Sequence, residues 1–272
     1  MNEKQATTCR SVGRGIRWPI VLAGMMLTMS ISATPRAAAQ SDDADKILRA
    51  MSDYVMSQKT LSITFDSDIE VITESLQKIQ FTSSGQVQLS RPDKLRATRT
   101  GGYTSVDLVF DGKTLTINDR DANDFTQLES PGSVDQLIDL LREKYGVMAP
   151  GADILLSNAY SIMTADVIEA EHIGTGVIDG VECEHLAFRN LDTDWQIWIE
   201  AGARPIPRKY VITSKAVAGA PQYTLRIKDW RNDVPADAFA FKPAQGAKKV
   251  VLGDLMEIDE VPQGTTAAGG KK

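Results

Sequence analysis

Between residues 61 and 230 apolar side chains recur at every second position, and a period of two restricts the chain to strands with one greasy face. Leu61, Ile63 and Phe65 alternate with Ser62, Thr64 and Asp66, and Ile69 and Val71 continue the pattern. Ile79 and Phe81 begin a second run that resumes with Val87 and Leu89 after a break at Gly85. Arg91-Pro92-Asp93 stops it, and Leu95 and Ala97 follow. Val106, Leu108 and Phe110 lead through Asp111-Gly112 into Leu115 and Ile117. Asp-Gly between two alternating runs predicts a tight hairpin whose central residues both take positive φ. The same period returns at 167–173, at 177–178, at 181–189 after Asp179-Gly180, and again at 195–199, 209–213 and 223–230. These runs predict about ten strands in an antiparallel meander.

Three segments break the alternation with helical spacing. Ser41, Asp42 and Asp43 offer N-caps to a helix whose stripe is Ala44, Ile47, Leu48, Met51 and Val55. Ser133 with Gln136 makes a capping box, ahead of an apolar stripe of Leu137, Ile138, Leu141 and Tyr145. Gly146 and Pro150 close that helix, and a short turn over 152–157 carries Ile154, Leu155 and Leu156. The fold class is α+β in one domain over residues 40–260. So little helix cannot fill the hollow of a curved sheet of this size, so an apolar cavity for a small or acyl ligand is expected. A packed interior is the alternative.

Both ends read as additions to that domain. Arg10, Arg14 and Arg17 precede an apolar stretch from Trp18 to Ile31, and Ala37-Ala38-Ala39 follows as a small-residue cleavage site. This is the pattern of a secretory signal peptide over 1–39, cleaved between Ala39 and Gln40. The stretch is about 14 residues long against the roughly 20 a membrane span needs, and no later segment reads as a span. Cys9 precedes the apolar stretch, which disfavours a lipid anchor, and residues 261–272 read as a disordered tail. The whole chain has a net charge of −6, and removal of Lys4, Arg10, Arg14, Arg17, Arg36 and Glu3 with the signal segment takes it to −10. An acidic domain of this kind excludes a nucleic-acid partner.

The residues that carry chemistry are few. His172 and His185 are the two histidines, and Cys183 is the one cysteine left after residue 39. Cys183 and His185 share a face of one strand, but two ligands do not complete a metal site, so core packing for one and hydrogen bonding for the other are expected. Gly174-Thr175-Gly176 reads as a turn rather than a nucleotide loop, and the acid pairs Asp66/Asp68 and Asp192/Asp194 read as strand-end residues. No enzyme, cofactor or metal is expected. Trp195 and Trp198 face opposite ways on a regular strand, one toward the core and one outward.

Several blocks together resemble known families. Residues 89–96 (LSRPDKLR), 110–115 (FDGKTL) and 239–246 (FAFKPAQG) are similar in order and spacing to the periplasmic lipoprotein carriers of the LolA and LolB type. Residues 183–189 (CEHLAFR), 194–200 (DWQIWIE) and 205–210 (PIPRKY) resemble a narrower group, the predicted periplasmic proteins called domain of unknown function 2092. The carrier resemblance implies an incomplete antiparallel β-barrel, LolA-like, covered by an N-terminal helix and a central helical lid. It also implies that Arg91, at the place of the carriers' Arg-Pro arginine, handles ligand at the rim. The expected function is a periplasmic, non-enzymatic binding protein holding the acyl chain of a lipid or lipoprotein. Its wall would be Phe81, Leu89, Val106, Leu108, Phe110, Leu115 and Ile117, with Arg91 at the mouth. The alternative is an envelope adaptor that binds a protein partner and no ligand.

Overall fold

A twelve-stranded sheet carries the structure, a computed structural model that describes residues 36–147, 149–255 and 261. Helix α1 (Arg36–Ser57) leads into β1 (Thr60–Ile72), β2 (Lys78–Ser90), β3 (Lys94–Gly101), β4 (Ser105–Phe110), β5 (Thr114–Asp119) and β6 (Asp124–Glu129). Helix α2 (Val134–Tyr145), a 3-10 turn at Ala152–Leu155 and helix α3 (Ala159–Thr164) follow. The chain then lays down β7 (Glu169–Ile178), β8 (Val181–Arg189), β9 (Thr193–Glu200), β10 (Pro207–Ser214), β11 (Gln222–Arg231) and the two-residue β12 (Lys248–Lys249). The spatial order is β12-β6-β5-β4-β3-β2-β1-β11-β10-β9-β8-β7. The sheet is open, with β12 and β7 at its edges, and every pairing except β12–β6 is antiparallel. The expected cleavage site falls within α1, and the rest of the expected signal peptide and nearly all of the tail lie outside the described residues.

Register explains how the alternation becomes a core. Leu61 pairs with Leu89, Leu89 with Leu95, Leu95 with Phe110, and Phe110 with Leu115, which sets one continuous apolar row on one face. On the other half Leu225 pairs with Tyr210, Tyr210 with Ile197, and Ile197 with Leu186. The stripe Ala44, Leu48, Met51 and Val55 of α1 and the stripe Val134, Leu137, Ile138 and Leu141 of α2 are buried in the same core cluster. The helices thus cover the face that the strand period made apolar. Expected capping is present at α2: the Gln136 amide donates to Ser133 Oγ (3.2 Å), and the Ser133 amide donates to Gln136 Oε1 (2.8 Å).

Four local features differ from the sequence expectations. Asp179 and Gly180 both have positive φ (49° and 81°), as a two-residue hairpin requires, but at the other Asp-Gly only Gly112 does (φ 92°). There the Asp111 carboxylate accepts from the Lys113 and Thr114 amides, so a longer side-chain-capped loop replaces the tight turn. Gly85 does not break β2; it lies where a Cβ would collide with the Thr98 carbonyl oxygen and the Phe65 ring, so its missing side chain lets the ring pack across the strand. Residues 167–173 and 177–178 form one strand with a bulge between His172 and Gly174. Finally, β6, α3 and β12 join the expected elements, which raises the strand count from about ten to twelve.

The opposite face is covered on one half by the chain's own end. After β11 the segment 232–250 crosses β3, β4 and β5: the Arg96 guanidinium, paired with Asp107 (2.7 Å), donates to the Ala238 carbonyl (3.1 Å). Phe241 packs on Phe125 at 5.2 Å between ring centroids, and β12 then pairs in parallel with β6. Gly85→Ala is expected to lower stability by about 1–3 kcal/mol through overpacking against Phe65 and the β3 backbone, read as a shift in urea midpoint. A midpoint equal to wild type would mean that the Phe65 ring moves aside without loss.

Candidate functional site

The residues expected to line a ligand site divide into three groups. Leu89, Phe110, Leu115 and Ile117 sit in the core cluster on the helix-covered face, the first three with no exposure at all. Val106 and Leu108 are partly buried at the edge of that cluster. Phe81 shares the face but lies at the far end of β2, opposite Ile69, where its ring meets Tyr103 edge-on at 5.6 Å. Ten residues of strand separate it from Arg91, roughly 33 Å at the usual rise.

Arg91 follows β2 directly, opposite Lys59, whose carbonyl accepts the Arg91 amide (2.9 Å). The adjacent Pro92 carbonyl accepts the Val134 amide (2.8 Å), which pins the first turn of α2 beside it. Burial pushes the Arg91 guanidinium down from its usual pKa, and the nearby Asp135 carboxylate opposes that shift. Its Nε and Nη2 are shielded from solvent without a hydrogen-bond partner among the described residues. Asp135 itself accepts from the amide and hydroxyl of Ser157.

The cover over this face is fuller than three helical pieces suggested. Ile154, Leu155 and Leu156 from the 3-10 turn, with Ala159 and Met163 from α3, are all buried. Arg142 of α2 pairs with Asp153 (2.8 Å), and Tyr160 of α3 donates to Asp45 of α1 while the Arg49 guanidinium lies over the Tyr160 ring at 3.8 Å. These contacts tie α1, α2 and α3 into one lid. Sequence reading missed α3 because its six residues are too few to show a helical period.

The uncovered half of the opposite face carries Cys183, His185 and Trp198, and the other candidates lie on the helix-covered side. Cys183 is fully buried, and burial raises its thiol pKa. His185 stacks on Trp198 at 4.1 Å and its Nε2 lies 2.9 Å from Gln196 Oε1, while Lys209 Nζ sits 4.7 Å from the Trp198 ring centroid. Trp195 faces the core at 4% exposure, so the two tryptophans point opposite ways as expected. His172 lies on the helix-covered side, with Nε2 at 2.8 Å from Glu184. A shallow depression of about 300 Å³ lies over β7, β8 and β9, fenced by Glu169, Glu171, Arg189, Asp194 and Gln196. No group of three or more potential metal ligands converges among the described residues.

The model of a family described as predicted periplasmic protein (DUF2092) matches residues 44–252. The chain belongs to that family. Its compartment is the periplasm, and no described helix is long and apolar enough to cross a membrane. The sequence matches no curated protein. Among solved structures it is similar to an uncharacterised conserved protein of Thermus thermophilus, at 12% identity over 76% of this chain and 98% of that one, with a TM-score of 0.46. It is also similar to the Mycobacterium tuberculosis lipoprotein LppX, at 15% identity over 72% and 99%, with a TM-score of 0.45. A LolA superfamily protein of Nitrosomonas europaea matches at 13% identity over 73% and 97%, with a TM-score of 0.30. Likeness at this level says nothing of function.

Two buried acids tie stability to pH on the alkaline side. Burial raises both the Cys183 thiol and the Tyr210 hydroxyl, the latter also raised by Asp153. Unfolded, these groups lose their protons near about 8.5 and about 10. The folded form holds its protons to higher pH, so this contribution is intact below those values and is lost as pH rises through the native ones. Urea midpoints are expected to fall between about pH 8 and 11, and Tyr210→Phe to flatten the decline above about pH 10. A variant slope equal to wild type would refute the assignment to Tyr210.

Proposed function

We propose that the protein is a periplasmic, non-enzymatic binding protein that holds the acyl chain of a lipid or lipoprotein between the apolar sheet face and its helical lid. The observation that carries this reading is the Arg91 guanidinium, whose Nε and Nη2 are shielded from solvent and have no hydrogen-bond partner among the described residues. A desolvated cationic donor left unpaired is costly, and a ligand oxygen arriving beside it would remove that cost. Next to it lies the longest apolar row of the fold. Leu89, Phe110, Leu115 and Ile117 would form the wall and Val106 and Leu108 its margin, while Phe81 would meet a ligand that runs the length of β2. Each buried methylene of an acyl chain would contribute about 0.8 kcal/mol. Export by residues 1–39, cleaved between Ala39 and Gln40, delivers the domain to its compartment.

Since Leu89, Phe110 and Leu115 have no exposure in the closed form, entry requires the lid to lift. The Arg142–Asp153 pair and the Tyr160–Asp45 contact move with the lid or break, and the Val134–Pro92 bond at the base of α2 is a natural hinge. The same zero exposure favours a second reading, an envelope adaptor with a permanently packed interior that binds a protein partner instead of a lipid.

Native mass spectrometry of protein purified from the periplasm separates the two. Co-purifying acyl lipid, and displacement of a fluorescent fatty acid at micromolar concentration, are expected. Absence of both would leave the adaptor reading standing.

A further inference from the structure

One hairpin tip sets an apolar side chain where neither backbone nor burial favours it. Leu76 stands in the turn between β1 and β2 with φ 62°, in the left-handed region where glycine and asparagine are at ease and leucine is strained. Its side chain is 68% exposed. The turn is held by its own hydrogen bonds: the Leu76 amide donates to the Thr73 carbonyl (2.9 Å), and the Gln77 amide donates to Thr73 Oγ1 (3.1 Å). The fold therefore keeps Leu76 in solvent at a cost, and a backbone outlier of this kind points to a use outside folding.

The hairpin also overhangs its neighbour. Gly101, the last residue of β3, pairs with Ser83, so β2 from Lys78 to Thr82 runs beyond it by about 17 Å at the usual rise. The next turn folds back toward the overhang. Tyr103, 63% exposed, meets the Phe81 ring edge-on, and Phe81 stands opposite Ile69. On the other side the turn between β10 and β11 closes against the hairpin, with Gly219 placed where a Cβ would lie 2.9 Å from Ile72 Cδ1. Across these three adjoining turns, residues 73–77, 102–104 and 215–221, the charged side chains are Glu74 and Lys215, which cancel. The turns at the opposite end of the sheet carry Arg91, Asp93, Asp111, Lys113, Asp179 and Arg204. An acidic protein thus has one neutral end tipped with a leucine and a tyrosine.

We infer that the β1–β2 tip, with Tyr103 beside it, is a docking surface for the phospholipid bilayers that bound the periplasm. A bilayer interface takes a leucine into its acyl boundary and holds a tyrosine at headgroup level. It asks for no fixed partner groups, which suits side chains that project singly from separate turns, whereas a protein partner needs a continuous complementary patch. The neutral turns let this end approach an anionic headgroup layer that repels the acidic remainder of the domain. The inference stands apart from the acyl-chain reading. Phe81, which touches Tyr103 and shares a face with Leu89, links the two surfaces.

The test is flotation of the full mature chain with vesicles of phosphatidylethanolamine and phosphatidylglycerol. Wild type is expected to float with the vesicles. Leu76→Asn should lose affinity by about tenfold or more, as for one leucine left unburied. Its melting temperature should equal or exceed that of wild type, because asparagine accepts the left-handed φ. Tyr103→Asn should lose about threefold or more. Val177→Asn changes an equally exposed apolar residue (69%) beside the β7–β8 turn at the opposite end, and should leave flotation unchanged. A wild type that does not float, flotation that survives both substitutions, or an equal loss in Val177→Asn would overturn the docking surface. Displacement of a fluorescent fatty acid is measured on the same proteins. Flotation without fatty-acid binding would overturn the acyl-chain reading and leave the surface standing, and fatty-acid binding without flotation would do the reverse.

Discussion

An extended sheet with one apolar face cannot exist in water without a cover, and this requirement organises the molecule. The apolar rows that run from β1 to β5 and from β11 to β8 need more area than a single helix stripe provides. Three helices and a 3-10 turn supply it: α2, the turn and α3 are consecutive in the chain, and side-chain pairs tie α2 to the turn and α3 to α1. Burial of this kind is non-directional, so it tolerates exchange of one apolar partner for another. The cover is therefore held to the sheet by apolar contact and to itself by a few polar pairs.

The polar atoms enclosed with that grease work in the opposite sense. Apolar contact sets how much a ligand gains, whereas an unpaired donor sets which ligand gains it.

Much of the fold was legible in the sequence because its signals are local. Asp179-Gly180, the Ser133–Gln136 box and the opposed tryptophans each depend on neighbours within a few residues, and each appears as expected. What escaped depends on distant partners. Gly85 looks like a strand break until Phe65 is seen to need its space, and α3 looks like a loop until the cover is assembled, whereas the helical turn over 152–157 was read from its own residues. The candidate site was legible in the same measure. The apolar wall follows from alternation, and Arg91 came only through likeness to the carriers.

The parallel pairing of β12 with β6 has a bearing on how the chain reaches this form. Strand β6 is synthesised before β7 to β11, yet its outer neighbour emerges only after all of them. Until then its backbone groups are open to any passing strand, a hazard in a sheet with so many non-local partners. The terminal segment therefore acts as a late closure that blunts one border of the sheet against aggregation once everything upstream is in register. A nascent chain arrested shortly before residue 248 would carry a nearly complete sheet and still be adhesive.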